Sequence, residues 1–241
     1  MQIIAIDIVL GGDNAVVIAL ASRRLPPEQR NKAIFWGVFG AIALRVILIF
    51  FALYLLAIPY LKVVGALLLL WIGVKLLMPE PEEGGHQINA ATNLVGAIKT
   101  IVVADAVMSL DNVIAIAGAA KGSLGLVIFG LVVSVPIIVW GSKLVLKLMD
   151  RFPIIIAAGG ALLGWIAGDM IATDVALKEA VDASVPYAHY VFSVIGALLV
   201  VVVGKALGAR RLKQYAAERS DLAAGATTAP PEDAQNNRGA L

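Results

Sequence analysis

Long apolar runs constrain this chain more than any other feature of its sequence. Of 241 residues, 60% are hydrophobic and only 15% are charged, and the mean hydropathy is +0.91. A soluble domain of this size would carry far more polar surface. A helix that crosses a bilayer needs about 20 mostly apolar residues. Seven segments meet this requirement, namely 1–22, 33–57, 60–78, 94–117, 124–148, 154–173 and 187–208.

These runs predict an all-α polytopic membrane protein with seven transmembrane helices. Barrel strands would be about 10 residues long and would alternate polar with apolar side chains, whereas these runs are continuous. Lys and Arg concentrate in the first loop, the fifth junction and the segment after the last span. By the positive-inside rule, the N-terminus lies outside and the C-terminus lies in the cytoplasm, as expected for a multi-pass protein of the inner (plasma) membrane.

A short polar phrase occurs twice inside the apolar runs. It consists of Asp, five residues and Asp-Asn, and its copies at residues 7–14 and 105–112 are 98 residues apart. Trp71 and Trp165 occupy matching places in the third and sixth spans. Each copy therefore holds three spans. Because an odd number of spans inverts the second copy, the sequence predicts two inverted-topology three-helix repeats plus one additional helix.

The repeat divides the chain into five predicted parts. They are a first three-helix repeat at 1–78, an acidic loop at 79–93, a second three-helix repeat at 94–174, a loop and seventh helix at 175–210, and a disordered cytoplasmic tail at 211–241. The tail is assigned as disordered because Ala, Thr, Pro, Gln, Asn and Gly dominate it.

The polar residues of the two phrases predict a metal site near the membrane midplane. A charged side chain at the bilayer centre costs about 2.5–3.5 kcal/mol on insertion scales, so four aspartates need a compensating ligand. Carboxylate and amide oxygens suit Mn²⁺, Mg²⁺ or Ca²⁺. A purely structural role, in packing or hydrogen bonding, is the alternative. The predicted ligands are Asp7, Asp13, Asn14, Asp105, Asp111 and Asn112.

Helix geometry limits this prediction. Residues seven apart lie nearly on one helix face, whereas residues six apart are displaced by about 120°. Asp13 and Asp111 therefore face away from Asp7 and Asp105 unless the helices are distorted. The pair Gly11-Gly12 favours such an opening in the first copy.

Four further charged residues are candidates for counter-ion or gating roles, and they are Arg45, Lys75, Lys143 and Asp169. Arg45 lies near the middle of the second span, where an arginine needs a partner. Lys143 has the alternative of snorkelling to the membrane surface. Lys75 and Asp169 could form a structural salt bridge with each other, or Asp169 could add to the site. The four predicted carboxylates outnumber the charge of one divalent ion, which suggests protons as a coupled ion.

The paired phrases resemble the two motifs of the TerC family of bacterial integral membrane proteins, in particular its short YjbE-like branch. The first family motif, an acidic residue, five residues and Asp-Asn, matches residues 7–14. The second, Asp, five residues and Asp with a small polar residue, matches residues 105–112. Asp7 replaces the more frequent Glu, and Asn112 replaces the more frequent Ser. The resemblance covers about residues 1–210 and implies seven spans and export of Mn²⁺ from the cytoplasm.

Three functions remain open at the level of sequence. The first is export of divalent cations, with Mn²⁺ as the transported ion and no resident cofactor. The second is export of amino acids or similar small solutes, with Arg45 as an anion ligand. The third is a non-transporting membrane partner of a translocase or resistance complex. A homo-oligomer fits each of them. We expect no enzymatic activity, and a net charge of +2 is too small to indicate nucleic acid binding.

Overall fold

The computed structural model of the chain describes residues 12–79, 88–119 and 124–228, and every regular element in these ranges is an α-helix. We number the helices in chain order. They are α1 (Gly12–Ser22), α2 (Pro27–Leu56), α3 (Leu61–Leu77), α4 (Ile88–Ala119), α5 (Leu124–Arg151), α6 (Ile154–Ala172), α7 (Lys178–Ser184) and α8 (Ala188–Thr228).

Five helices contain stretches that are long and apolar enough to cross a membrane. These are Pro27–Phe51, Asn93–Leu110, Ile128–Arg151, Ile154–Ala172 and Ala188–Ala217. They correspond to the second, fourth, fifth, sixth and seventh predicted spans. Helix α3 has 17 residues and is about 25 Å long, slightly shorter than the hydrocarbon core. Helix α1 has 11 residues, and residues 1–11 of the first predicted span lie outside the described part of the chain.

The structure corrects three boundaries. Helix α4 begins at Ile88, inside the predicted acidic loop, and α7 forms a short helix in the predicted loop before the last span. Helix α8 continues to Thr228, so residues 211–228 are helical rather than disordered. This segment still contains Ala, Leu, Lys, Arg, Glu and Gln, which favour helix. Because it extends an existing helix, it avoids the cost of nucleation.

Helices α6 and α8 pack with their backbones in direct contact. A Cβ atom added at Gly164 would collide with the carbonyl oxygen of Gly196, and one added at Gly168 would collide with the carbonyl oxygen of Phe192. Small residues four apart allow this approach, and in lipid such packing replaces the hydrophobic driving force between helices. The glycines are therefore required by the α6–α8 interface.

The buried core lies among α1, α3, α4 and α6. Leu20, Leu69, Ala104 and Leu163 from these four helices are each fully buried. Around them α2 packs on α4, α1 on α5, and α3 on both α6 and α8. Large apolar side chains of α2, such as Phe39, remain exposed on the outside of the bundle, as expected for a surface that faces lipid.

A buried aspartate from another part of the chain holds the start of α3. The Asp174 carboxylate accepts hydrogen bonds from the backbone N–H groups of Tyr60 at 3.0 Å and Lys62 at 3.1 Å. It also accepts the N–H of Ala176, at 2.9 Å. Tyr60 has a left-handed backbone with φ of 63°, which is costly for a residue with a side chain. Asp174 thus satisfies the N–H groups that a helix start leaves open.

Two arginines hold the other end of α3. Arg23 donates to the Leu76 carbonyl oxygen at 3.1 Å, and Arg24 donates to the same oxygen at 2.9 Å. Arg24 also donates to the carbonyl oxygens of Lys75 and Met78. A carboxylate at the N-terminus and cations at the C-terminus both complement the dipole of the helix. The short α3 is therefore oriented by charges from other elements at both ends.

Replacing the close-contact glycine in α6 should destabilise the bundle. We expect Gly168→Ala to lower stability by about 1–3 kcal/mol, because its methyl group would force α6 away from α8. Gly125→Ala is the matched control, since a Cβ there meets no atom within 4 Å. The measurement is thermal unfolding of the detergent-solubilised proteins. Equal melting temperatures for the two variants would contradict the proposed contact.

The role of Asp174 predicts a pH-dependent loss of stability. Burial raises the pKa of the Asp174 carboxyl, but the backbone N–H groups of Ala176, Tyr60, Val63 and Lys62 outweigh this effect and lower the pKa below its ordinary value of 3.8. The stabilisation is therefore present above about pH 4 and is lost as the pH falls through the lowered pKa.

Asp174→Asn should destabilise the protein by about 1–3 kcal/mol at pH 7, because the N–H groups lose a charged acceptor. The difference in melting temperature between wild type and variant should shrink only below about pH 4. Asp182→Asn, at an exposed position on α7, is the control and should have no comparable effect. If the difference in melting temperature between wild type and Asp174→Asn stays constant down to pH 3, the ionised Asp174 carboxylate does not stabilise the start of α3.

Candidate functional site

A buried ion pair joins α2 to α4. Arg45 Nη2 lies 2.6 Å from Asp105 Oδ1, and only 4% and 10% of the two side chains are exposed. Arg45 Nε donates to Ser109 Oγ at 2.9 Å, and Ser109 Oγ lies 3.3 Å from Asp105 Oδ2. Each of the three side chains is thus hydrogen-bonded to the other two. Such pairing is what intramembrane charges require.

Local packing brings these residues together. Asp105 and Ser109 are four residues apart on α4 and therefore share one face. Two glycines of α2 bring its backbone close to α4, because a Cβ at Gly37 would lie 2.7 Å from Ile101 Cδ1 and one at Gly40 would lie 2.9 Å from Val102 Cγ2. Arg45 follows these glycines on the same helix and reaches across to Asp105.

Asp13 and Asn14 add polar groups at the start of α1. Asp13 Oδ1 accepts the backbone N–H of Asn14 at 2.8 Å, which suits a carboxylate in the first turn of a helix. The Asp13 carboxylate also interacts electrostatically with Asp105 and Arg45. The cluster of Asp13, Asn14, Arg45, Asp105 and Ser109 is called the polar cluster below.

The Asn14 carboxamide is buried, and no described residue forms a hydrogen bond with it. Only 3% of Asn14 is exposed, and neither Nδ2 nor Oδ1 has a hydrogen-bond partner in the described part of the structure. A buried polar group left unpaired costs about 1–3 kcal/mol. Since native proteins rarely leave such groups unsatisfied, Asn14 is a candidate to contact a ligand.

The structure describes only part of the predicted metal site. Asp7 lies outside the described residues, as do the side chains of Asp111 and Asn112. Within the described residues, no group of three or more His, Cys, Asp or Glu side chains could hold a metal ion. Four converging carboxylates therefore remain a prediction.

The second phrase lies in an uninterrupted helix. Helix α4 runs from Ile88 to Ala119, so it contains no break at Asp111 of the kind that direct ligation by this residue requires. Ser109 and Leu110 occupy the places of the glycine pair in the first copy, and neither residue favours an opening. The position of Asp111 is therefore about 120° around the helix from Asp105, whereas that of Asn112 is nearly aligned with it.

Three predicted counter-ion residues lie outside the polar cluster. Lys143 is exposed on α5, and Lys75 Nζ lies over the ring of Trp71, 5.0 Å from its centroid. Asp169 Oδ1 lies 3.1 Å from His189 Nδ1. Lys75 and Asp169 do not form the possible salt bridge. Asp169 is in the last turn of α6, which lies beside the start of α3, whereas Lys75 is at the other end of α3.

Sequence reasoning missed two polar residues with structural partners. Ser109 bonds both members of the buried ion pair, and its spacing of four residues from Asp105 is a signal that the sequence does contain. Asp174 carries no comparable signal, because an aspartate in a loop between apolar spans is ordinarily solvated. Its burial depends on the position of α3, which lies more than a hundred residues earlier in the chain.

Comparison with known proteins identifies the family. The profile of the integral membrane protein TerC family matches residues 1–212. The chain belongs to this family. It is 51% identical to the membrane protein YjbE of Bacillus subtilis (strain 168) over 174 residues, which are 72% of this chain and 79% of YjbE.

More distant similarity extends to larger proteins. The chain is 26% identical to the membrane protein YceF of Bacillus subtilis over 210 residues, 84% of this chain and 79% of YceF. It is 25% identical to the inner membrane protein YoaE of Escherichia coli (strain K12) over 234 residues, 89% of this chain but 43% of YoaE. No solved structure matches the chain. The chain is thus a multi-pass integral membrane protein of the TerC family.

The buried ion pair predicts strong coupling in a double-mutant cycle. Arg45→Leu and Asp105→Leu should each cost about 3–5 kcal/mol, because each leaves an uncompensated charge in the core. The double variant should cost much less than the sum of the two. The exposed pair Arg30–Asp150, at 3.4 Å, is the control, and its coupling should not exceed about 1 kcal/mol. Thermal unfolding in detergent measures both cycles, and additive effects at Arg45 and Asp105 would contradict the pairing.

Proposed function

We propose that this protein is a membrane transporter that exports divalent cations, most specifically Mn²⁺, from the cytoplasm. The observation that carries the proposal is the polar cluster, where two aspartates and a buried carboxamide with no partner among the described residues lie among apolar helices. The charged residues of the polar cluster are Asp13, Asp105 and Arg45, so the cluster carries one net negative charge. Asp7 and Asp111, brought to the same site, would raise this to three.

The chemistry of the ligand set supports a hard cation. Every candidate ligand offers oxygen, and the chain contains no cysteine. Mn²⁺, Mg²⁺ and Ca²⁺ prefer such ligands, whereas softer metals more often bind Cys or His. The choice of Mn²⁺ and the outward direction rest on the resemblance to the TerC family.

Charge balance supports proton coupling. If Asp7 and Asp111 join Asp13 and Asp105 at the site, Arg45 neutralises one of the four aspartates and a bound divalent ion would neutralise two more. One negative charge would then remain in a low-dielectric region, where an unpaired charge is costly. A proton on one aspartate removes it. We therefore propose that metal movement is coupled to protons through this site.

Helix contacts support an inverted repeat of α1–α3 and α4–α6. In such a repeat α1, α2 and α3 correspond to α4, α5 and α6. The contact of α2 with α4 should then have a counterpart between α5 and α1, and both contacts are present. The contacts of α3 with α4 and of α6 with α1 correspond in the same way. In this proposal the two halves rock about the polar cluster, the N-terminus is outside and the C-terminal part of α8 is cytoplasmic.

Arg45 argues against the small-solute alternative. As an anion ligand for a transported amino acid, Arg45 would have to leave Asp105 and Ser109, which already bind its guanidinium group. That would uncover a buried carboxylate. The pairing therefore favours Arg45 as a fixed internal counter-ion.

Substitution of the two described aspartates tests the proposal. Cells that express the wild type under Mn²⁺ load should contain less manganese than cells without the protein. Asp13→Asn and Asp105→Asn should remove this difference, because each deletes a charge that balances the cation. Asp182→Asn, exposed on α7, should behave as wild type. Membrane levels of each variant must be matched.

Two outcomes would overturn the proposal. Unchanged content of every divalent metal in the presence of wild type would exclude metal export. Full activity of Asp13→Asn and Asp105→Asn would place the site elsewhere. In reconstituted vesicles, an imposed pH gradient should change the rate of Mn²⁺ flux. A flux independent of the gradient would exclude proton coupling but would leave metal export standing.

A further inference from the structure

A cavity of about 280 Å³ lies where the ends of α1 and α3 meet the first turns of α4. It is separate from the polar cluster and contains none of its residues. The polar, basic and aromatic side chains of its wall, with one glycine, are Arg24, Trp71, Lys75, Asn93, Gly96 and Thr100. Small-molecule pockets usually have volumes of about 300–1,000 Å³. This cavity is slightly smaller, so it fits a compact polar group.

The charge of the cavity favours an anion. Arg24 and Lys75 are both cationic, and none of the described lining residues is acidic. Arg24 is held in place by its bonds to the last carbonyl oxygens of α3, at 2.9 Å for Leu76 and 3.1 Å for Lys75. Asn93 adds an amide donor beside them. Two cations with neighbouring hydrogen-bond donors are the groups that bind phosphate oxygens.

The surroundings of the cavity favour an anion that belongs to a lipid. Trp71 is 59% exposed on the outside of the bundle, and Lys75 Nζ lies over its ring. Tryptophan and lysine side chains of this kind are typical of the level of the lipid headgroups. At Gly96 a Cβ atom would meet no atom within 4 Å, so the wall is open there.

The first-loop arginines place the cavity on the cytoplasmic side in the orientation proposed above. Basic pockets between transmembrane helices on this side bind the headgroups of anionic lipids. We propose that the cavity binds the phosphate-bearing headgroup of an anionic lipid such as phosphatidylglycerol or cardiolipin. The bound headgroup contacts α1, α3 and α4 together, and its charge is complementary to Lys75 and to the edge of the Arg24 guanidinium that lines the cavity. This assignment is independent of the transported ion.

Lipid titration with native mass spectrometry tests the site. Detergent-solubilised wild type should retain added dioleoyl phosphatidylglycerol and cardiolipin in preference to dioleoyl phosphatidylcholine. Lys75→Gln should weaken binding of the anionic lipids by about fivefold, as expected for one basic residue near the headgroup. Lys147→Gln removes an exposed lysine of α5 that does not line the cavity, and it should leave binding unchanged.

A second variant blocks the cavity without altering charge. Gly96→Leu projects a side chain into the open wall and improves helix propensity, so it should retain the wild-type melting temperature in lipid-free detergent. It should reduce retention of anionic lipid at least as strongly as Lys75→Gln. If Gly96→Leu melts at a lower temperature, the comparison of Lys75→Gln with Lys147→Gln decides the question.

Soluble competitors distinguish a lipid from a free anion. Inorganic phosphate and glycerol phosphate, added at millimolar concentration, should displace the lipid only weakly. Binding of phosphate without preferential binding of anionic lipid would overturn the assignment to a headgroup. Equal retention of phosphatidylcholine, or equal losses in Lys75→Gln and Lys147→Gln, would overturn the site itself.

Discussion

The buried ion pair between Arg45 and Asp105 is the interaction on which the interior of this membrane protein depends. It connects α2 to α4, and Ser109 forms a hydrogen bond with each member of the pair. Burying either charge alone among apolar helices would cost several kcal/mol of free energy, and pairing the two charges offsets most of this cost. The pair also sets the charge that the polar cluster presents, since Arg45 cancels one of its carboxylates. Stability and the proposed cation site are therefore determined by the same contact.

The framework around this pair depends on how α3 ends. The ends of a helix leave backbone N–H and C=O groups without intrahelical partners, and in α3 both ends find them in other elements. Asp174 satisfies one end and two first-loop arginines satisfy the other. The arginines serve a second purpose in our proposal, because Arg24 also lines the cavity assigned to a lipid headgroup. Helix capping and lipid binding thus share one surface.

Prediction from sequence succeeded where the membrane leaves few choices. Continuous apolar runs can satisfy their backbone groups in lipid only as helices, and within the described residues five of the predicted spans meet the length required. It failed where local composition competes with neighbouring structure. Residues 211–228 extend α8 although their composition indicated disorder. The possible Lys75–Asp169 bridge does not form, because matching positions in two repeats do not imply contact.

The sequence by itself determined the helical class, the membrane location, the paired aspartate phrases and the need to compensate them, because hydropathy and insertion cost depend only on residue type and spacing. Tertiary structure alone decided which residues pair with the buried aspartates. Asp105 is joined to Arg45 by the close approach of α2 and α4, and Asp174 is joined to α3 across more than a hundred residues. Charge pairing depends on distances of a few ångströms between helices, and spacing along the chain does not encode them.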